Sequence, residues 1–211
     1  MSNPAELYDA ILTGNAKKAE EVTKAALAAD VNPSDLLGKF MIPAMDEVGK
    51  RFECNEYFVP ELLIAARAMK TALQLLTPKL AAAGAKAMGR VVIGTVQGDL
   101  HDIGKNLVAS MLEGGGFEVV DLGVDVPPQK FVDAAKEQDG SIIAMSALLT
   151  TTMTQMKAVV KALEDGGFRK KVRVIIGGAP ITQQYADEIG ADGYGDNAST
   201  AVALARKLVA V

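Results

Sequence analysis

The chain has a single histidine, His101, and the residues around it favour a role in chemistry. It lies within residues 98–104, GDLHDIG, where Asp99 stands two positions before the imidazole. A carboxylate that bonds one ring nitrogen of a histidine commonly orients the other nitrogen toward a metal. One histidine and one cysteine, Cys54, exclude a metal site built wholly from Cys and His side chains. A single imidazole ligand suffices only if a macrocycle, as in a haem or a corrin, supplies the in-plane ligands.

Three other interpretations of this region fail at specific positions. Residues 98–105 superficially resemble a phosphate-binding loop, but five residues separate the glycines and Asn106 stands where a Ser or Thr would hold magnesium. A hydrolase triad of Ser146, His101 and Asp99 lacks the glycines of a nucleophile elbow around the serine. A phosphoacceptor receiver domain would need an aspartate in place of Ser146.

The composition excludes several classes of protein. Of 211 residues, 49% are hydrophobic and 23% are charged, which is typical of a globular chain and excludes disorder. The net charge of −4 opposes binding to nucleic acid or to an acidic membrane surface. No apolar run approaches the roughly 20 residues of a membrane span, and the N-terminus lacks the pattern of a signal peptide. We therefore expect a cytoplasmic protein with no nucleic-acid and no membrane partner.

The first part of the chain has the hydrophobic periodicity of helices. This pattern extends from residue 4 to about residue 83, and helix-start signals occur at Asn15, Asn32 and Val59. They predict a bundle of four helices. Pro43 and Pro78 predict kinks or breaks in the later helices.

The rest of the chain alternates short β-branched runs with amphipathic stretches, after a small-residue segment at residues 81–84. The strands are predicted at Arg90 to Val96, Glu118 to Leu122, Ser141 to Ser146, Val172 to Ile176 and Asp192 to Tyr194. Near-continuous apolar runs are typical of strands that are buried on both faces of a parallel sheet. The fold class is therefore α/β, with a doubly wound, flavodoxin-like sheet of five strands in the order 2-1-3-4-5. We expect two domains, a helical one over residues 1–84 and a Rossmann-like one over residues 88–211.

This sheet order predicts where a ligand binds. In an open parallel sheet, ligands bind beyond the carboxyl ends of the strands where the strand order reverses, here between the first and third strands. The first strand leads into the His101 loop, and the third leads into residues 146–152, SALLTTT. The histidine therefore faces a hydroxyl-rich loop across the predicted crevice.

The motifs in both halves resemble one family. Residues 94–106, GTVQGDLHDIGKN, resemble the Asp-x-His-x-x-Gly signature of cobalamin-binding domains, and Ser146-x-Leu148 and Gly177-Gly178 match its companion motifs. Residues 48–53, 58–61 and 65–70 resemble the helical cap domain of methionine synthase and of small corrinoid proteins of methyltransferase systems. By this resemblance, which covers nearly the whole chain, the protein is identified as a corrinoid protein of a methyltransferase system.

The resemblance implies a role for each residue near the histidine. His101 would be the lower axial ligand of the cobalt of cobalamin, with the dimethylbenzimidazole of the cofactor displaced. Asp99 would bond His101, and Thr152 would complete the relay at a position where methionine synthase has serine.

The resemblance also implies contacts with the rest of the cofactor. Ser146 would accept the base of the nucleotide tail, with Leu148 and Thr150 beside it. The further implied contact residues are Gly98, Asp102, Ile103, Gly104, Gly177 and Gly178. Glycines at strand ends are also common as plain turn residues, so this interpretation stays open. In the cap, Phe58, Leu62 and Leu63 would cover the upper face of the corrin, although such a stripe is more typical of a bundle core than of a cofactor lid.

The function implied by the resemblance is that of a methyl carrier. Co(I) would accept a methyl group from a donor-specific methyltransferase, and the methylcobalamin formed would pass it, as methyl-Co(III), to an acceptor methyltransferase that uses a folate or a thiol. A reductive activase is the third implied partner. Because the cap and the corrin domain occupy all 211 residues, we expect no substrate site and no catalysis by the chain alone.

Two alternatives and several donors remain open at this point. The chain could be the corrin-binding subunit of an adenosylcobalamin-dependent mutase. The resemblance of the first part to a helical cap domain argues against this alternative. It could also be a sensory module, although no DNA-binding or output segment follows Val211. The candidate methyl donors are methanol, methylamines, betaines and methoxylated aromatics.

Overall fold

The computed structural model describes residues 4–84, 87–137 and 142–210. The chain divides into two compact units, one of Met1–Ala87 with Glu113–Gly116 and one of Met88–Leu112 with Phe117–Val211. Ser141, the predicted start of the third strand, and both chain ends lie outside the described residues.

The first unit is built from helices. In chain order they are α1 (Ala5–Leu12), α2 (Ala16–Ala28), α3 (Pro33–Leu36), a π-helical turn (Leu37–Met41), α4 (Ile42–Glu53) and α5 (Val59–Ala82). Because α3, the π-helical turn and α4 follow without a break, the described part of this unit has the four predicted helical segments. Two predicted starts carry the expected side-chain caps: Asn15 accepts from the Lys18 N–H at 3.0 Å, and Asn32 accepts from the Ser34 N–H at 2.8 Å.

The two prolines have different local effects. The π-helical turn ends at Met41, just before Pro43 in the first turn of α4. A proline lacks the N–H that a continuous helix requires, and the turn immediately before it departs from α-helical hydrogen bonding. The sequence predicts a kink or a break at Pro78, and helix α5 continues through Pro78 to Ala82 without a break. Pro78 lies in the last turns of α5, where one missing donor disturbs few hydrogen bonds.

The second unit contains a parallel sheet, and a helix follows each of its strands. The strands are β1 (Arg90–Thr95), β2 (Glu118–Asp121), β3 (Ile142–Ser146), β4 (Arg173–Gly177) and β5 (Gly193–Tyr194), and the helices are α6 (Ile103–Gly114), α7 (Pro128–Glu137), α8 (Thr154–Asp165), α9 (Gln183–Ile189) and α10 (Ala198–Val209). The strand order is β2-β1-β3-β4-β5 and all pairs are parallel, which confirms the predicted fold class. The described strand limits differ from the predicted ones by at most one residue.

The register of the sheet brings three strand ends into line. Thr95, Ser146 and Gly177 are neighbours across β1, β3 and β4. Beyond β2, the chain continues alongside β1, because Val96 forms an isolated parallel bridge with Val126. The loops after β1, β2 and β3 therefore leave the sheet side by side.

The end of β4 is packed tightly against the loop after β3. Gly178 has a φ of 131°, and a Cβ added there would lie 1.9 Å from the carbonyl oxygen of Ala147. A Cβ at Gly177 would lie 2.9 Å from the carbonyl oxygen of Gly195. The backbone of the protein itself therefore requires both glycines.

Replacing Gly178 with alanine should destabilise the second unit strongly. The substitution combines a left-handed backbone with a clash against a carbonyl oxygen, so we expect a loss of about 3 kcal/mol in the free energy of unfolding. Urea denaturation measures this. Gly104→Ala is the matched control, because a Cβ at Gly104 meets nothing within 4 Å in the first turn of α6. It should leave the stability unchanged or raise it by up to about 1 kcal/mol. Equal losses in both variants would contradict this account of Gly178.

Candidate functional site

The carboxylate of Asp99 organises the loops at this edge of the sheet. The residue is 1% exposed, and its side chain accepts four hydrogen bonds. Oδ1 accepts from the Nδ1 of His101 at 2.7 Å and from the His101 N–H at 3.1 Å. Oδ2 accepts from the N–H of Leu148 at 2.8 Å and from the hydroxyl of Thr152 at 2.6 Å. Four donors fill the acceptor capacity of a carboxylate, so Asp99 is fully satisfied as an anion.

These hydrogen bonds also determine the charge of Asp99. Burial alone would raise the pKa of its carboxyl group, but the hydrogen bonds from Thr152, Leu148 and His101 outweigh burial and hold the pKa well below its usual value of 3.8. At neutral pH the carboxylate is ionised and can only accept hydrogen bonds. The proton between it and His101 is therefore on Nδ1 of the imidazole.

His101 consequently presents its other nitrogen outward. With the proton on Nδ1, the Nε2 atom carries a lone pair, which is the form that binds a metal. The His101 side chain is 51% exposed, and its carbonyl oxygen accepts from the hydroxyl of the buried Thr95 at 2.8 Å. The ring is thus oriented on one side and accessible on the other.

The loop after β3 holds the far side of the carboxylate. The N–H groups of Thr152 and Met153 donate to the carbonyl oxygen of Leu149 at 3.1 and 3.0 Å, which makes a tight turn. This turn directs the Thr152 hydroxyl at Asp99. Because the hydroxyl has one proton, its 3.0 Å contact with the Leu149 carbonyl competes with the shorter bond to Asp99. The structure thus brings Asp99, His101 and Thr152 together, as the resemblance implied.

Large apolar side chains in the His101 loop and in the loop after β3 are open to solvent. Leu100, Ile103, Leu148 and Leu149 are between 43% and 79% exposed. The first two flank His101, and the last two lie in the loop that bonds Asp99. A cluster of exposed large hydrophobic residues is typical of a binding surface.

A corrinoid fits the residues at this edge. Among the described residues, no group of three or more His, Cys, Asp or Glu side chains could hold a metal ion, so a metal at His101 needs ligands from another source. The exposed leucine and isoleucine side chains suit the apolar face of a macrocycle. Gly104 has open space where a Cβ would project, and the Ser146 hydroxyl forms no hydrogen bond within the described ranges. Both features leave room and a polar partner for a nucleotide tail.

The other residues that the resemblance implied lie in varied settings. Gly98, next to Asp99, has a φ of 81°, and Thr150 is exposed. The backbone carbonyl oxygen of Asp102 accepts from the N–H of Asn106 at 2.7 Å, at the start of α6. Gly177 and Gly178 are explained by contacts within the protein itself. In the first unit, Phe58 and Leu63 are 60% and 46% exposed, whereas Leu62 is fully buried. The roles of all these residues toward a cofactor remain predictions.

Two residues of the site were missed by the sequence reasoning. The Asp125 carboxylate accepts from the Gly98 N–H at 2.7 Å, and its own N–H donates to the carbonyl oxygen of Asp99 at 3.0 Å. The buried Lys105 donates to Asn106 at 2.7 Å and forms an ion pair with Asp121. The predicted pairing of β1 with β2 could have placed Asp125 near Asp99, since adjacent parallel strands end at the same edge of the sheet and these residues follow β2 and β1. The sequence offers no such signal for a buried lysine.

Comparisons with known proteins agree with this geometry. The B12-binding domain model matches residues 89–203, and a second B12-binding domain model matches residues 5–77. The chain belongs to the B12-binding family. The cofactor prediction, cobalamin, is confirmed by these matches. No helix among residues 4–84, 87–137 and 142–210 is long and apolar enough to cross a membrane.

Curated relatives of this B12-binding protein extend over almost the whole chain. Trimethylamine corrinoid protein 1 of Methanosarcina acetivorans is 45% identical over 207 residues, covering 97% of this chain and 96% of the relative. The dimethylamine corrinoid protein of Methanosarcina barkeri is 45% identical over 208 residues with the same coverage. The resemblance to corrinoid proteins of methyltransferase systems is therefore confirmed.

Two solved structures resemble this B12-binding protein closely. A cobalamin-binding protein from Desulfitobacterium hafniense has a TM-score of 0.81 at 33% identity and covers 99% of both chains. The methanol:cobalamin methyltransferase complex MtaBC from Methanosarcina barkeri has a TM-score of 0.86 at 30% identity, over 97% of this chain and 78% of that chain. Both matches agree with the α/β fold and its helical first unit.

Replacing Asp99 with asparagine should destabilise the protein and change its response to acid. The amide NH₂ of asparagine would face a donor, so we expect a loss of about 1 to 3 kcal/mol in the free energy of unfolding at pH 7. Because the pKa of Asp99 is lowered by folding, its stabilisation is complete above the unfolded-state pKa near 3.8 and is lost as the pH falls below that value. The variant should lose less stability on acidification than the wild type.

Urea denaturation at a series of pH values measures both effects. Asp102→Asn is the matched control, since Asp102 is an exposed aspartate of the same loop. Within the described residues its carboxylate accepts one hydrogen bond, from the Asn106 amide at 3.2 Å. It should stay within about 0.5 kcal/mol of the wild type. An Asp99→Asn variant that behaves like this control would remove Asp99 from its structural role.

Proposed function

We propose that the chain is a corrinoid methyl carrier that moves a methyl group between two methyltransferases. One observation carries the proposal: the only imidazole of the chain is fixed through Nδ1 by a buried carboxylate and presents Nε2 among exposed apolar side chains. A bound corrinoid supplies a cobalt centre that accepts a methyl group when reduced to Co(I) and releases it to a nucleophile. The family match and the corrinoid relatives support this assignment.

The protein side chains position the ligand and control one proton. His101 would bind the cobalt through Nε2, while Asp99 holds the proton on Nδ1 and sets the ring orientation. Thr152 and the Leu148 N–H hold the carboxylate in place through its other oxygen.

The apolar and small residues have a separate task. Leu100, Ile103 and Leu148 would lie against the macrocycle and exclude water from the lower face. The hydroxyl of Ser146 would form a hydrogen bond with the nucleotide tail. Gly104 leaves space for the tail. Phe58 and Leu63 are the exposed cap residues that would shield the upper face.

The names of the relatives support methyltransferases as partners. The matched complex from Methanosarcina barkeri contains a methanol methyltransferase, and the curated relatives are named for trimethylamine and dimethylamine. We assign this chain a donor-specific methyltransferase, an acceptor methyltransferase and a reductive activase as partners. Equal identity of 45% to tri- and dimethylamine proteins favours a methylated amine as the donor class to test first.

Further parts of the proposal rest on the sequence. Residues 1–84 would act as the cap and residues 88–211 as the corrin-binding domain, in a cytoplasmic protein. The alternative, a subunit of an adenosylcobalamin-dependent mutase, has less support, since the curated relatives quoted above are corrinoid proteins over 97% of this chain. No observation in the described residues favours that alternative.

Isotopic labelling of the single histidine tests the axial bond directly. In the Co(II) state, electron paramagnetic resonance resolves the nuclear spin of an axial nitrogen. The cobalamin-loaded protein should give a nitrogen triplet with ordinary histidine and a doublet with ¹⁵N-histidine, because His101 is the only histidine. His101→Ala should lose the histidine-dependent pattern. A triplet that persists after labelling would mean that the cofactor's own base, and not His101, binds the cobalt.

The upper ligand distinguishes a methyl carrier from a mutase subunit. The protein should be isolated in the dark with its native cofactor, which is then released and analysed by mass spectrometry. We expect methylcobalamin or a corrinoid without an organic upper ligand, because a methyl carrier alternates between a methylated and an unmethylated form. Adenosylcobalamin would contradict the proposed function and support the mutase alternative.

A further inference from the structure

Asp125 has an unusual backbone conformation close to the Asp99–His101 pair. Its φ is 52°, and among the described non-glycine residues only Asp30 and Asn55 share the left-handed region. Aspartate and asparagine tolerate this region better than other residues with a side chain, but the conformation still costs free energy. Asp125 follows β2 and stands one residue before Val126, which bridges to Val96.

The hydrogen bonds of Asp125 reach both sides of Asp99. Its carboxylate accepts from the N–H of Gly98 at 2.7 Å, and its N–H donates to the carbonyl oxygen of Asp99 at 3.0 Å. Four soft backbone dihedrals, the φ and ψ of Gly98 and of Asp99, lie between these two anchored groups, and within this segment the Asp99 N–H donates to the carbonyl oxygen of Val96 at 3.1 Å. Asp125 therefore fixes the segment of backbone from which the Asp99 carboxylate projects.

This fixation matters because the segment contains a glycine. Gly98 has a φ of 81° and no Cβ, so its φ and ψ are less restricted than those of a residue with a side chain. The contacts of Leu148 and Thr152 hold only the far oxygen of the carboxylate. The near oxygen, which receives the Nδ1 proton of His101, depends on the position of the backbone.

We propose that Asp125 is a positioning residue, which holds the Gly98–Asp99 backbone so that the carboxylate keeps the proton of His101 on Nδ1. The left-handed conformation is then explained, since it directs both the N–H and the carboxylate of one residue at the neighbouring loop. The need for this tautomer rests on the proposed function, in which Nε2 binds cobalt. The tautomer itself is a property of the chain without cofactor.

The tautomer can be measured on the single histidine. Long-range ¹H–¹⁵N NMR of the ¹⁵N-histidine-labelled apoprotein, at a pH where the imidazole is neutral, gives the ratio of the Nδ1–H to the Nε2–H form. A weakened hydrogen bond to Asp99 lowers this ratio, because the bond made by one nitrogen determines where the proton is held. Cobalamin is absent, so failure of this experiment and failure of the methyl-carrier proposal are distinguishable.

Three variants separate the carboxylate from the backbone conformation. Asp125→Gly keeps the left-handed backbone and removes the acceptor, so the Nδ1–H to Nε2–H ratio should fall roughly fivefold. Asp125→Asn keeps both an oxygen acceptor and the tolerance of this conformation, so it should retain the wild-type ratio. Asp30→Gly is the matched control, because Asp30 is an exposed aspartate in the same conformation after α2. It should leave the ratio unchanged.

Amide hydrogen exchange gives a second measurement that needs no variant. The Gly98 N–H belongs to an exposed residue, yet its bond to Asp125 should slow exchange at least about tenfold relative to an unfolded peptide. This result stands even if Asp125→Gly does not fold. The proposal is overturned if Gly98 exchanges at the unprotected rate, if Asp125→Gly keeps the wild-type ratio, or if Asp125→Asn lowers it as much as Asp125→Gly.

Discussion

The ionised, buried carboxylate of Asp99 is the constraint on which the rest of the site depends. An isolated carboxylate at this depth would be destabilising by several kcal/mol, and it persists because four donors satisfy it. Two of those donors belong to His101, and the other two come from a loop about fifty residues later in the chain. Each donor is held in place because losing its hydrogen bond would leave a buried charge partly unsatisfied. The imidazole of His101 is thus oriented by the same contacts that hold the loops together.

The sheet topology explains how such distant residues meet. Three loops surround the carboxylate, and they follow β1, β2 and β3 because the order β2-β1-β3 places those strands side by side. The loop after β1 carries Asp99 and His101, the loop after β3 carries Leu148 and Thr152, and the loop after β2 carries Asp125. A parallel sheet brings all three carboxyl ends to one edge. The site is therefore a direct consequence of strand order.

The sequence predicted the parts of this arrangement that depend on periodicity and strand order. Apolar runs identified the strands, and their order then placed His101 opposite the loop that contains Thr152. The individual hydrogen bonds were beyond such reasoning, because they depend on backbone angles that one-letter patterns do not encode. Asp125 illustrates this limit: aspartate tolerates a left-handed backbone, but its residue type alone does not indicate that this position has a φ of 52° or that its carboxylate bonds the Gly98 N–H. Lys105 illustrates another, since a lysine in a first helical turn is typical of an exposed position, yet it is buried beside Asp121.

The site divides affinity and geometry between two kinds of residue. Exposed side chains such as Leu100 and Ile103 gain roughly 25 cal/mol for each Å² that a ligand covers, and this gain depends little on orientation. The polar contacts of Asp99 contribute less net free energy, since each replaces a bond to water, but they permit one ring orientation and one tautomer. A ligand with a broad apolar face and a metal at its centre can both cover the exposed apolar side chains and bind the oriented imidazole. A free metal ion would gain nothing from the apolar residues, and an apolar molecule without a metal would leave Nε2 of His101 without a partner. The combination therefore selects a metal-containing macrocycle over either part alone.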